Sequence, residues 1–249
     1  MRPTFLKSAT CVVLAASALM FGAPAMAADA LSNTQKDEVR KLVRDYLVQN
    51  PEVIRDAINA LQEKEEKETQ AKQQVAIKKN KDQIFSTADG TVLGNPKGDV
   101  TLVEFFDYNC GYCKQMFPAM MDTLKADGKV RLIMKEFPIL GAPSLMASRA
   151  ALAARKQNKY AEFHTALMGH KGALTEGVIF QTAKDVGIDS KKLEADMKAP
   201  EIDEIIKANH KVASDLNIEG TPAMFVGETF VNGAVDKTKL AELIATARK

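Results

Sequence analysis

Apolar residues recur along this chain first with the period of a helix and later with the run-lengths of buried strands. From Ser32 to about Phe85 the period is helical. Val39, Leu42, Val43, Tyr46 and Leu47 follow the i, i+3, i+4, i+7, i+8 spacing of one helix face. Thr34 stands where a cap is expected. Asn50-Pro51 reads as an N-cap followed by a proline at the first helical position. It opens a second helix with a stripe of Val53, Ile54, Ala57, Ile58 and Leu61. Beyond Leu61 the stripe stops. Gln62 to Gln74 is nearly all Glu, Lys and Gln, which propagate helix without an apolar face and suit a solvated stalk. Two short amphipathic helices on a stalk cannot bury a core alone. They predict either fold-back onto another domain or packing against copies of themselves.

After Asp89-Gly90 the texture changes. Val100 to Tyr108 is a near-continuous apolar run, the signature of a strand covered on both faces. Cys110-Gly111-Tyr112-Cys113 follows at once, then a helix over Lys114 to Lys125 and a second strand over Val130 to Phe137. From about Ser144 to Leu216 alanine-rich, helix-period sequence is broken at Gly169-His170, Lys171-Gly172, Gly187 and Pro200, which predicts several packed helices. Strand-like Ala223 to Val226, a Gly227-Glu228 turn, a strand through Val231 and a helix from Lys237 to Ala247 complete the order.

The first 27 residues stand outside that pattern. Arg2 and Lys7 precede an uncharged apolar stretch, Cys11 to Phe21, and a small-residue site, Ala25-Met26-Ala27, the layout of a secretory signal peptide cleaved after Ala27. The stretch is shorter than the roughly 20 residues needed to span a bilayer, and no later segment approaches that length. The 249 residues carry a formal charge of only +2, with no basic stripe to neutralise phosphates, which argues against nucleic-acid binding. Cys11 precedes the apolar run instead of ending it, so it is not placed for lipidation and leaves with the signal. Cys110 and Cys113 are then the only thiols of the mature chain.

A CxxC closes too short a loop to stabilise a fold, since the loop-entropy gain grows with length. It is well placed for chemistry. Residues i and i+3 of a helix lie at disulfide-forming separation, and a cysteine at a helix start faces unpaired N–H groups and the positive dipole end, which favour thiolate. Lowering a thiol pKa by three units takes about 4 kcal/mol, of which the dipole supplies about 0.3 to 2. Direct hydrogen bonds must add the remainder, so Gly111 and Tyr112, which set their geometry, tune the potential. Structural zinc lacks its ligands: there is no second Cys pair, and His164, His170 and His210 are distant in sequence. Copper(I) held by two soft thiolates remains chemically open. Met116, Met120 and Met121 read as core packing, and His164 as the holder of a structural hydrogen bond.

Glu104-Phe105-Phe106-Asp107-Tyr108-Asn109-Cys110-Gly111-Tyr112-Cys113, followed downstream by Gly220-Thr221-Pro222-Ala223-Met224-Phe225-Val226, resembles the DsbA-like branch of the thioredoxin superfamily. The resemblance spans about Asp89 to Lys249. It implies an α/β thioredoxin fold with a helical block inserted at about 142–216, preceded by a helical extension over 28–88. Tyr46 to Ile54 also resembles the N-terminal region of the ScsC proteins, periplasmic DsbA-like proteins linked to copper tolerance, in which this region can trimerise and the trimers act as disulfide isomerases. By this resemblance Cys110 is the nucleophile and Cys113 the resolving thiol. Thr221-Pro222 is a cis-proline loop that binds substrate backbone. Glu104, a carboxyl in a buried strand, has a raised pKa and relays the proton of Cys113.

The expectation is therefore a periplasmic thiol–disulfide oxidoreductase, an oligomeric isomerase that works on unfolded or misfolded exported proteins and meets a membrane or periplasmic thiol redox partner. It needs no cofactor beyond the Cys110–Cys113 pair. A monomeric DsbA-like oxidase is the alternative within the class. A copper(I)-binding or holdase protein without turnover is the alternative outside it.

Overall fold

The computed structural model describes residues 31–86 and 91–249; the signal-peptide assignment over 1–27, with Cys11, lies outside the described residues. Two compact units divide between Glu63 and Lys64. The first contains α1 (Asn33–Gln49) and the opening turns of α2 (Glu52–Lys79). Ser32, not Thr34, caps α1. Its hydroxyl accepts from the Gln35 N–H while the Gln35 side chain returns to the Ser32 N–H, a reciprocal pair that Thr34, already inside the helix, cannot make. Asn50 serves both helices: its backbone and side-chain N–H groups donate to Tyr46 O at the end of α1, and its carbonyl accepts the Val53 N–H in the first turn of α2. The stalk segment is the middle of one continuous 28-residue helix. α1 buries no residue, and Leu42, Val43, Tyr46, Ile54, Ile58 and Leu61 are all exposed.

The second unit is built on a five-stranded sheet of order β1-β3-β2-β4-β5. Its strands are β1 (Val92–Gly94), β2 (Val100–Phe106), β3 (Val130–Glu136), β4 (Ala223–Val226) and β5 (Thr229–Asn232). β2 and β3 run parallel, in register from Val100↔Val130 to Phe106↔Glu136, and the other pairs are antiparallel. Around the sheet lie α3 (Lys81–Phe85), α4 (Gly111–Asp127), α5 (Ala142–Ala154), α6 (Tyr160–Gly169), α7 (Glu176–Asp185), α8 (Ser190–Asp196), α9 (Pro200–Asp215) and α10 (Lys237–Ala247). Helices α5 to α9 form the block expected between β3 and β4.

β2 explains the layering. Side chains alternate across a strand, so Leu102 and Phe106 face one way, into a core with Cys113, Met116, Met120, Leu132, Met134 and the α5 alanines. Val103 and Phe105 face the other, against Ile77, Ile84, Ile133, Phe137 and Phe225. Each such side chain contributes about 1.5 to 3 kcal/mol by leaving water. Glu104 has the parity of Leu102 and Phe106, and that places its carboxyl on the α4 face.

Candidate active site

The turn from β2 into α4 puts the sulfur of Cys110 at the N-cap. Cys110 has extended backbone (φ −71°, ψ 113°), and its Sγ accepts the Cys113 N–H at 3.1 Å. Across from it the Thr221–Pro222 peptide is cis, and the Cys110 thiol reaches Thr221 O at 3.3 Å. Both cysteines carry free thiols. The Cys110 thiol is lowered from its ordinary value to about 6. The Cys113 thiol beside it contributes most, and the Thr221 hydroxyl and the Cys113 and Tyr112 N–H groups add to it against the cost of burial. Cys113 moves far in the other direction, because it is the donor to Cys110, is buried, and lies in the field of Glu104. One thiol is thus poised as thiolate and its neighbour is held protonated.

Glu104 is fully buried, and neither carboxyl oxygen has a hydrogen-bond partner. Burial, then the charge of Cys110, pushes its pKa up to about 8. The carboxyl does not reach solvent. Gly111 begins α4 with open space where a Cβ would stand, and Tyr112 is 68% exposed. The site residues read from the sequence, Glu104, Cys110, Gly111, Tyr112, Cys113, Thr221 and Pro222, all belong to the second unit. Cys110, Cys113 and Thr221 are in direct contact, Glu104 acts on the Cys113 sulfur through its field, and the charge of Cys110 acts on Glu104.

Three further groups were not legible. Asp107, fully buried, accepts four hydrogen bonds. Lys114, immediately after Cys113, donates to Leu167 O and His170 O and ties the start of α4 to the end of α6. Behind the site, Glu136 Oε1 accepts from the hydroxyls of both Tyr108 (3.0 Å) and Tyr160 (2.9 Å). Because the single Tyr108 proton goes to Glu136, the 2.9 Å contact to His164 is an Nδ1–H donating to the tyrosine oxygen. Burial lowers His164 to about 3, so it stays neutral in that tautomer. This is the structural hydrogen bond expected of His164. Met116 and Met120 are core residues, and Met121 packs partly buried against them. No three His, Cys, Asp or Glu side chains converge as a metal site among the described residues.

Residues 101–245 match the DSBA-like thioredoxin domain family, and residues 35–68 match the copper resistance protein ScsC N-terminal domain. The chain is similar to a thioredoxin-like oxidoreductase from Silicibacter pomeroyi DSS-3, with 44% identity and a TM-score of 0.66 over 68% of this chain and 98% of the other. It is also similar to ScsC of Proteus mirabilis in a transitional conformation, with 34% identity and a TM-score of 0.65 over 88% and 99%. A curated relative, "Probable disulfide bond formation protein D" of Bacillus anthracis, is 26% identical over 178 residues, 66% of this chain and 82% of its own length. Of the Na(+)/H(+) antiporter NhaA 3 of Salinispora tropica, which it also matches, the chain spans only 24%. Among the described residues no helix is long and apolar enough to cross a membrane.

Proposed function

The chain belongs to the DSBA-like thioredoxin domain family of thiol–disulfide oxidoreductases, and from that premise we propose that it is an exported, oligomeric disulfide isomerase of the periplasm. The observation that carries the chemistry is the N-capping Cys110 sulfur, lowered to about 6, opposite Thr221 and in front of a buried, unpartnered Glu104. Cys110 thiolate attacks a sulfur of a substrate disulfide. The substrate S–S bond breaks, its second sulfur leaves as thiolate, and a mixed disulfide forms. In isomerisation a substrate thiolate then attacks the same substrate sulfur and expels Cys110, with no net redox change. In resolution Cys113 attacks Cys110 Sγ, and the substrate departs as a dithiol while Cys110–Cys113 is oxidised.

Glu104 serves that second branch. The charge on Cys110 helps keep Glu104 protonated. Once Cys110 is in the mixed disulfide this charge is gone, Glu104 ionises more readily, and it takes the proton that Cys113 must lose, directly or through one water. Thr221 and cis-Pro222 offer backbone to the substrate segment. Gly111 and Tyr112 tune the pair. No cofactor beyond the two thiols enters these steps.

The exposed apolar stripes of α1 and α2 and the match over residues 35–68 support self-association through the N-terminal helices, a trimer by resemblance to ScsC. Several redox centres on one particle can hold a misfolded exported protein while its bonds are exchanged, and a periplasmic or membrane thiol partner keeps them reduced. The link to copper tolerance rests on the same match. Sedimentation of the mature protein with and without residues 28–88, combined with recovery of a scrambled disulfide substrate, is the test. The expected result is an oligomer that shuffles, and a truncated monomer that does not. A monomer in both cases returns the reading to a DsbA-like oxidase, which the similarity to disulfide bond formation protein D favours. Unchanged copper tolerance with Cys110→Ser would detach the thiols from that phenotype.

A further inference from the structure

Asp107 lies between the sulfurs and the rest of the fold. Its Oδ1 accepts the Asn109 N–H at 2.7 Å and the Ser144 hydroxyl at 2.6 Å; its Oδ2 accepts the Ile139 and Leu140 N–H groups at 2.8 and 2.9 Å. Four donors from three segments thus converge on one fully buried carboxyl. The Asn109 side chain repeats the tie by donating to Ser144 Oγ at 2.9 Å. The backbone of the same residue touches both thiols' surroundings. Asp107 O accepts the Cys110 N–H at 3.0 Å, and the Asp107 N–H stabilises the Cys113 sulfur.

We propose that Asp107 is a positioning residue for the redox centre: its carboxylate locks the Asp107–Cys110 turn to the Ile139–Leu140 turn and to the first turn of α5, and so fixes the Cys110 sulfur against its N–H donors. The physical reason is the mode of connection. Only two residues, Tyr108 and Asn109, separate Asp107 from Cys110, so a shift of the carboxyl end moves the sulfur. The 3.1 Å bond from the Cys113 N–H weakens steeply when distance or angle is lost. The turn has no regular secondary structure of its own to hold it, and the four hydrogen bonds to the carboxylate supply that rigidity. The inference rests on the reading of Cys110 as the attacking thiolate.

The test is an ultraviolet thiolate titration of the full-length reduced protein beside Asp107→Asn and Ser144→Ala, with glutathione redox equilibria on the same samples. An asparagine keeps the volume but can accept on one side only. The expected result is a fall of about tenfold in the thiolate-to-thiol ratio at a given pH for Asp107→Asn, one pKa unit, and a smaller fall in the same direction for Ser144→Ala. The redox equilibrium moves with it toward a more reducing pair. If Asp107 acted only as a nearby negative charge, Asp107→Asn would raise the thiolate ratio. That result, or folded variants that titrate like the parent, overturns the proposal. Should Asp107→Asn fail to fold, Ser144→Ala decides by the same criterion. A parent protein without a low-titrating thiol removes the thiolate reading itself, whereas a low-titrating parent with unaltered variants removes only the positioning role.

Discussion

Glu104→Gln separates burial from every other influence on this site, and its effect can be worked out in advance. The carboxyl ionises at about 8 in the fold, against 4.5 for an ordinary glutamate, because it is buried without a hydrogen-bond partner. A raised carboxyl binds its proton more tightly folded than unfolded, so between those two values the native state holds more protons and stability falls as pH rises. Integrated at 1.36 kcal/mol per pH unit, this single group removes about 4 kcal/mol between about pH 5 and pH 9. Glutamine cannot ionise. Its own burial cost is the same at both pH values and cancels from the difference. Denaturant unfolding of parent and variant across that range should therefore show the variant gaining on the parent by about 4 kcal/mol toward the alkaline end. Burial outranks the Cys110 charge as a cause, so most of the gain survives oxidation of the pair, where the thiolate is absent. A stability gap that stays flat with pH refutes the argument, and with it the case for Glu104 as a proton store. In turnover the same variant should accumulate mixed disulfide, because Cys113 has lost its acceptor.

Replacing His164 with Phe probes the opposite sign. Its pKa of about 3 lies below the ordinary 6.5, so the stability it contributes is present above pH 6.5 and is lost as pH falls toward 3. His164→Phe should flatten the acid limb of the stability profile in that window, read by chemical unfolding, and an unchanged limb would mean that the ring already titrates freely. Thr221→Val deletes a hydroxyl that stabilises the Cys110 thiolate; at about 1 kcal/mol for the bond, the thiolate-to-thiol ratio should fall about fivefold in an absorbance titration. Gly111→Ala meets no atom within 4 Å, so unfolding should place its stability within about 0.5 kcal/mol of the parent. Any loss of substrate turnover in that variant then reports on docking at the surface or on the tuning of the redox pair, and not on packing.

The parts of this fold that could be read in the chain are those whose signal is local. β2 is buried on both faces and announces itself as an apolar run; α10 carries its own Asp236 cap, and its helical pattern runs from Lys237 to Ala247 in sequence and structure alike. The strand ends at Phe106, two residues before the run does, because Asp107 turns the chain toward donors 32 to 37 residues away. That distance is why Asp107 looked like one polar residue in a motif. β1, only three residues long, has too little sequence to show an alternation and takes its conformation from β3. The N-cap of α1 differs for another reason. Ser32 and Thr34 are both competent cappers, and which one acts depends on where the first turn closes. Of the redox site, Cys110, Cys113 and Glu104 were legible from residue type and position, whereas the clamp of Lys114 on α6 depends on how the helical block folds back.

Two acidic residues three positions apart, Glu104 and Asp107, are both fully buried beside the same pair of sulfurs, and their surroundings assign them opposite work. The pleat of β2 turns Glu104 toward α4, where apolar side chains and the two thiols offer it no donor. Such a carboxyl is neutral whenever it can be, and a change of charge at Cys110 shifts its proton affinity. Asp107 lies one residue beyond the strand, where the backbone has left the ladder and loose N–H groups are abundant, and it collects four donors. Exchanging the two side-chain types would defeat both roles. An aspartate at 104 would withdraw the carboxyl by one methylene from α4, and a glutamate at 107 would overfill a pocket already closed around four bonds, at a cost of about 1 to 3 kcal/mol. The redox pair thus depends on one carboxyl denied partners and another given four of them. The sequence interval between them, the last turn of the pleat and the first residue past it, is what produces that difference.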